Sequence, residues 1–360
     1  MPEVTVLMTV YNGMPYLPLA IESILRQTCT DLEFLIVNDC STDNSREVIL
    51  SYSDPRIRLL DNEKNLKQTR ALNRGLEHTR TELVARMDAD DISHPRRLEM
   101  QVAYLRDHPE VVALGTGLRT IDSEGRVVSR VVRPENDLAL RWMQLIENPI
   151  SGGAVMFRKS IVWDKLGGFD PSIHLAQDYE LWSRILPDHK LASLPDFLYD
   201  VRRHPDAETN MWLGVLDEEH QRISRASVRR VLGITDDSEP WFRNLNLLVP
   251  WSHAARHDHA DLLLAMVDEL FERFCTVYPA ARNDPDVLRL LSKEYFRVVS
   301  EAGLSNLPTV VEALRRAWLI TPAPLYMAQI ARAVAIWIGA RKLWTLRLKR
   351  ARMTSRQNSH

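Results

Sequence analysis

From Val4 onward short apolar runs alternate with amphipathic ones at close spacing, and this rhythm constrains the fold more than any single residue. Residues 4–10 form a nearly continuous apolar run, which suits a strand buried on both faces. Residues 16–27 follow with Leu17, Ala20, Ile21, Ile24 and Leu25 on one helical face. The alternation continues with strands over 32–37, 57–60 and 83–87 and helices over 46–52 and 68–78. Such repeated βα units predict an α/β fold built on a parallel sheet. Ligands of such sheets bind beyond the carboxyl ends of the strands. Asp39 and Asp88 both leave predicted strands at that edge.

The fourth strand runs directly into Asp88-Ala89-Asp90-Asp91. Three carboxylates this close repel one another, and a cation among them reverses the sign of the local field. Oxygen ligands of this kind suit Mg²⁺ or Mn²⁺, which take one or two carboxylates from a protein and fill the remaining positions with water and substrate phosphates. The other reading is a solvated acidic loop capping the helix after Pro95. No glycine-rich phosphate loop accompanies the cluster. Gly115-Thr116-Gly117 lacks a third glycine, Asp122 comes too soon for a dinucleotide fingerprint, and no Gly-Lys-Ser/Thr run occurs. Phosphates would therefore be held through the metal.

Several ordered motifs carry a resemblance. Residues 6–13, Gln27-Thr28, Val37-Asn38-Asp39-Cys40-Ser41-Thr42-Asp43, the acidic cluster, Gly167-Gly168-Phe169-Asp170 and Gln177-Asp178-Tyr179-Glu180-Leu181-Trp182 together resemble the family 2 glycosyltransferases of GT-A fold. That resemblance covers the chain to about His204. It implies a Rossmann-like, mostly parallel sheet flanked by helices, and an inverting, metal-dependent transfer from a nucleotide-sugar to a hydroxyl.

Residue by residue, the resemblance makes Asp39 the acid that contacts the nucleotide base, with Thr9, Tyr11 and Asn12 lining the same pocket. Asp88 lies near the ribose and metal, and Asp90 is the main metal ligand. Asp91 is read as a partner of those groups or a cap of the next helix. Asp178 matches the general base, although an acid at a helix start also interacts favourably with the helix dipole. Gly152 and Gly153 run under the donor sugar, where missing side chains admit close backbone approach. Arg202 and His204 match a closing segment that faces the diphosphate, with His204 able to complete the metal shell. Lys67 and Arg70 reach the diphosphate or are surface charges. The chain departs from the family pattern at Gln177, where a glutamate is usual, and at Lys67, where glycine is common.

With 46 basic and 48 acidic side chains the net charge is -2, so no global field recruits nucleic acid. The 3 cysteines are scattered and lack metal spacing, as expected in a reducing compartment. The chain enters a strand almost at once, and neither a leader nor an amino-terminal anchor is expected. A cytoplasmic enzyme is the expectation, with peripheral contact at the inner face of the membrane.

Three regions are expected: a catalytic domain over 1–205, a helical region over 206–321, and an apolar helix with a basic tail over 322–360. Residues 325–338 carry only Gln329 and Arg332 as polar interruptions and are too short to span a bilayer. The cations beyond them suit anionic headgroups or a solvated tail.

The functional expectation is transfer from a UDP-sugar to a glycan or lipid-linked acceptor in cell-surface polysaccharide synthesis. The alternatives are a nucleotide-sugar-binding assembly subunit without turnover and a haloacid dehalogenase-type phosphohydrolase.

Overall fold

The computed structural model describes residues 2–205, 213–236, 238–249, 259–302 and 306–320. The chain divides into two compact units, Met1–Ser252 and His253–His360. In the first unit β1 (Val4–Val10), α1 (Leu17–Leu25), β2 (Leu32–Asn38), α2 (Ser45–Ser51), β3 (Ile57–Asp61), α3 (Gln68–His78) and β4 (Leu83–Asp88) follow one another as the alternation predicts. The second half brings β5 (Ile92–Ser93), α4 (Arg97–Asp107), β6 (Val111–Ile121), β7 (Val127–Val131), α5 (Asp137–Gln144), β8 (Met156–Arg158), α6 (Gln177–Ile185), β9 (Lys190–Arg202) and α7 (Leu213–Leu232).

The strands form one sheet in the order β3-β2-β1-β4-β8-β6-β9-β5, with β7 on β6. From β3 to β4 every pairing is parallel, which sets the carboxyl ends of β1, β2 and β4 on one edge. Beyond β4 the sheet is mixed: β8 pairs antiparallel with β4 and β6, while β9 runs parallel to β6. The βα alternation predicts the parallel half, and β6 and most of β9 carry no such signal in the sequence. Period alone does not tell a strand that alternates with helices from one that returns through a hairpin.

Both faces of the parallel half are covered, as the continuous apolar runs require. On one face Val4, Val6, Met8 and Val10 pack with Ile21 and Ile24 of α1 and Leu98 and Leu105 of α4. On the other, Leu7, Leu35 and Val84 pack with Leu72 and Leu76 of α3 and Leu181 and Trp182 of α6.

Helix α7 of this unit is tied to the site by one buried acid. Glu219 of α7 accepts from three successive backbone N–H groups, those of His174 at 2.6 Å, Leu175 at 2.9 Å and Ala176 at 3.0 Å. These are the residues immediately before α6, whose own first turn carries Asp178.

The described residues of the second unit are helical. They include α8 (Ala260–Val277), α9 (Pro285–Ala302) and α10 (Leu307–Ile320), with Leu270, Phe274, Val287, Leu291, Val298 and Ala313 buried among them. Tyr295 donates to Asp268 at 2.8 Å across this core. Among the described residues no helix is long and apolar enough to cross a membrane. The apolar helix and basic tail expected over 322–360 lie outside the described residues.

Glu219→Gln replaces one acceptor oxygen by an amide that faces backbone N–H donors. Loss of these charge-assisted bonds is expected to lower stability by about 2 kcal/mol. Denaturant unfolding checks this, and an unchanged midpoint would contradict the assigned role.

Candidate active site

The site lies where β1, β2 and β4 end. Register pairs Thr9 with both Val37 and Asp88, so Thr9 sits half-buried between the two acid-bearing strand ends. Asp39 is buried directly after β2. Its Oδ1 accepts from Asn62 Nδ2 at 2.6 Å and from the Leu66 amide at 2.8 Å, and its own amide donates to Val10 O at 2.7 Å. One carboxylate oxygen is thereby spent on fixing the side chain, and Oδ2 takes no part in these bonds.

Tyr11 is 49% exposed beyond β1, with its ring open to stacking. Asn12 has a different task. It takes a positive φ of 52°, and its Oδ1 accepts from the Thr42 amide at 2.8 Å while its amide donates to Ser41 Oγ at 3.1 Å. It joins the loops after β1 and β2, so it shapes the pocket through the backbone.

Lys67 and Arg70 are exposed at the start of α3. Lys67 has φ 70° and ψ 159°, a region that side chains with a Cβ rarely enter. The preference for glycine at this place thus has a conformational cause, and the lysine carries strain. Gln177 faces the same corner, its side-chain amide paired with that of Gln68 at 2.8 Å.

The acidic cluster is resolved one carboxylate at a time. Asp88 Oδ1 accepts from Arg86 Nη2 at 2.6 Å, and the Asp88 amide donates to the Tyr199 hydroxyl at 3.0 Å. Asp90 Oδ2 lies 3.0 Å from His204 Nε2. Burial raises the Asp90 carboxyl above the ordinary aspartate range, the Asp88 charge adds to this, and His204 opposes it. Asp91 is buried, and burial followed by the Asp90 and Asp88 charges pushes it well above that range. Its Oδ1 accepts from the Arg202 amide at 2.8 Å, so it ties β9 to the loop after β4. It is a structural partner of the cluster, with no bond to the helix that follows.

β9 supplies the opposite wall. Tyr199 is fully buried, and burial with the Asp91 and Asp88 charges holds its hydroxyl well above the usual tyrosine value, so it stays protonated. Arg202 is buried as well. Its Nε donates to Asp90 O at 2.9 Å, its Nη1 to Asp122 O at 3.1 Å, and its guanidinium lies 4.6 Å from the Tyr16 ring centroid. Arg202 therefore holds the loop that presents Asp90, and His204 is the member of this segment that reaches the carboxylate itself.

A short 3₁₀ turn, Gly152–Ala154, crosses the floor. A Cβ at Gly152 would fall 2.3 Å from Arg86 Nη1 and 2.8 Å from Asp178 Oδ2, and one at Gly153 would fall 2.4 Å from Asp88 Oδ2. A side chain at either position would force these charged groups to move. Asp178, at the start of α6, accepts from Asn148 Nδ2 at 2.9 Å and the Gly152 amide at 2.7 Å on Oδ2, and from the Tyr179 amide at 2.8 Å on Oδ1. A carboxylate has about four acceptor positions. Three are used, and the remaining one is on Oδ1.

Among the described residues no three metal-ligating side chains form a ready-made site. The donor set nevertheless fits a divalent cation finished by substrate. Asp90 and His204 are paired, Asp88 Oδ2 is not the oxygen bonded to Arg86, and hard cations commonly take few protein ligands when phosphates complete the shell.

Reading the sequence passed over Arg86, Asn148, Tyr199 and Glu219 as individual site residues. Arg86 alone gave a signal, being a charge inside an otherwise apolar strand, where full burial demands a partner. The others became visible only through contacts across the chain.

A Rossmann-like sheet with an Asp-x-Asp pair at its rim and glycines beneath it defines a GT-A type glycosyltransferase. Residues 5–166 match glycosyl transferase family 2. The amylovoran biosynthesis glycosyltransferase AmsE of Erwinia amylovora is 34% identical over 208 residues, which cover 56% of this chain and 77% of the relative. The chain belongs to glycosyl transferase family 2, and the protein is a glycosyltransferase.

Two solved structures share the fold. Residues 1–349 of Staphylococcus aureus TarS in complex with UDP-GlcNAc align with TM-score 0.54 at 17% identity, covering 88% of each chain. The mannosyltransferase PcManGT of Pyrobaculum calidifontis in complex with GDP-Man and Mn²⁺ aligns with TM-score 0.51 at 20% identity, covering 92% of this chain and 87% of that one. Family membership displaces the phosphohydrolase alternative, and the acid pair ends the fourth strand of the chain where that chemistry wants the first.

Replacing Lys67 by glycine removes the strained conformation and is expected to raise stability by about 1 kcal/mol after the larger backbone entropy of glycine is discounted. Denaturant unfolding of Lys67→Gly measures this. A fall in stability would mean that the lysine side chain holds the turn.

Proposed function

We propose that this glycosyltransferase moves a sugar from a nucleotide-diphosphate donor, a UDP-sugar, to a hydroxyl of a glycan or lipid-linked acceptor during polysaccharide synthesis, with inversion at the transferred carbon. The observation that carries the reading is the Asp90–His204 pair at 3.0 Å beside Asp88, on the same sheet edge as Asp39. The AmsE relative and the UDP-GlcNAc complex of TarS support the substrate class.

Asp39 presents one oxygen to the N–H of a pyrimidine, with Tyr11 stacking on the base and Thr9 beneath it. Asp90, His204 and the outer oxygen of Asp88 would hold Mn²⁺ or Mg²⁺, whose chemistry is Lewis-acid stabilisation of charge on the departing diphosphate. Lys67 and Arg70 stand at the outer side of the diphosphate. Gly152 and Gly153 let the donor sugar rest against the backbone. Asp178 Oδ1 accepts the proton of the incoming hydroxyl, while its other oxygen is anchored by Asn148 and the Gly152 amide. Anchoring fixes the angle of approach, which is what a base must supply before its basicity matters.

Two substitutions separate binding from chemistry. Asp90→Ala is expected to remove metal-dependent binding of UDP, measured by calorimetry with Mn²⁺; undiminished binding would contradict the assignment. Asp178→Asn is expected to leave that binding intact and to slow transfer by about two to four orders of magnitude, as loss of a general base does. Turnover near the wild-type rate would remove Asp178 from the mechanism.

A further inference from the structure

We propose that Arg86 is the positioning residue that sets the donor-side carboxylate Asp88 and the acceptor-side carboxylate Asp178 at a fixed separation before substrates bind. This rests on the donor reading given above. Arg86 interrupts the apolar run of β4, and its side chain is 3% exposed. Its Nη2 donates to Asp88 Oδ1 at 2.6 Å. Its Nη1 and Asp178 Oδ2 crowd the same point beneath Gly152, 2.3 and 2.8 Å from where a Cβ would stand. One guanidinium thus lies between two carboxylates that the proposed reaction uses for different partners.

Its surroundings differ from those of two neighbouring arginines, the buried Arg97 and the half-buried Arg158. Arg97 donates to Arg86 O at 2.8 Å and to Val155 O at 3.2 Å, and Arg158 donates to Val111 O at 3.0 Å and Leu105 O at 2.6 Å. Those two staple the backbone. The hydrogen bond that Arg86 makes goes to a carboxylate, and its Nε is buried without a partner. Such a group contributes little to holding strands together and much to the arrangement of charge. Two carboxylates near one another repel, and a buried cation that bonds one and stands close to the other offsets that repulsion and clamps the pair electrostatically.

The clamp makes two properties move in opposite directions. Arg86 offsets part of the negative charge that Asp88 and Asp90 present to a divalent cation, so its removal should strengthen cation binding. The same removal frees Asp178 and Asp88 to change their spacing, so turnover should fall. A role confined to folding would weaken both together.

The experiment compares wild type, Arg86→Gln, Arg86→Lys and Gly152→Ala as full chains, with folding followed by circular dichroism. Gly152→Ala keeps every charge and drives a methyl against both Arg86 Nη1 and Asp178 Oδ2. The probes are Mn²⁺ with UDP in calorimetry, and UDP release from a panel of UDP-sugars for kcat and KM.

Arg86→Gln is expected to bind Mn²⁺ with UDP about threefold or more tightly. Its kcat should fall by about 100-fold with KM changed by less than about threefold. Arg86→Lys should recover about tenfold of that loss because the charge remains. Gly152→Ala should lower kcat without altering Mn²⁺ binding. Should Arg86→Gln fail to fold, the other two variants carry the same comparison.

Parallel loss of Mn²⁺ binding and turnover in folded variants, or kcat unchanged in all of them, overturns the inference while leaving the donor reading in place. A wild type that binds no Mn²⁺ with UDP and releases UDP from no sugar overturns the donor reading, and this inference with it.

Discussion

Repulsion among carboxylates at one rim of the sheet is the constraint that the rest of the site answers. Asp88, Asp90 and Asp91 lie close together in a partly buried space, Asp178 stands near Arg86, and each carboxylate is held by its own hydrogen-bond partner. Arg86 takes Asp88, His204 takes Asp90, the Arg202 amide takes Asp91, and Asn148 with the Gly152 amide takes Asp178. No two acids share a hydrogen-bond partner among these, while Arg86, bonded to Asp88, also stands close to Asp178. The result is a charge pattern fixed before any substrate arrives, which is the condition for electrostatic stabilisation without reorganisation at the moment of reaction.

The partners come from parts of the chain remote in sequence. β9 brings Tyr199 and Arg202 against the loop after β4, and His204 follows directly. Its parallel pairing with β6 carries this wall along the length of the sheet. The Gly152–Ala154 turn closes the floor because β8 pairs antiparallel between β4 and β6. Beneath it Arg97, fully buried, has its guanidinium lowered to about 10 by burial and still carries charge at neutral pH. α7, which lies beyond the matched residues, grips the approach to α6 through Glu219. The helical extension of this unit thus takes part in placing Asp178.

How far the sequence could be read depends on which contacts are local. The βα alternation gave β1 to β4 and α1 to α3 with boundaries close to those observed, because the period of an apolar run is a property of the run itself. Asp39 and Asp88 were visible for the same reason, since each lies at the end of a strand whose direction the alternation fixes, and Asp90, in the turn after β4, was visible through the resemblance. Lys67 was visible as a departure from the family, yet its cause, a positive φ at the start of α3, belongs to the folded backbone. Arg202 carried an expectation of facing the diphosphate, and in the fold its Nε and Nη1 are committed to main-chain carbonyls. A basic side chain near a site has the same letter whether it points at a ligand or at the protein.

The sequence alone determined the α/β class, the edge on which chemistry can occur, and the acid residues placed there, because hydrophobic period and strand direction are encoded within about 90 residues. The tertiary structure alone decided which partner each acid received. Arg86, Tyr199, Asn148 and Glu219 act through contacts between segments far apart in the chain, and the energy of a charge depends on what stands a few ångströms away, whatever the distance along the sequence.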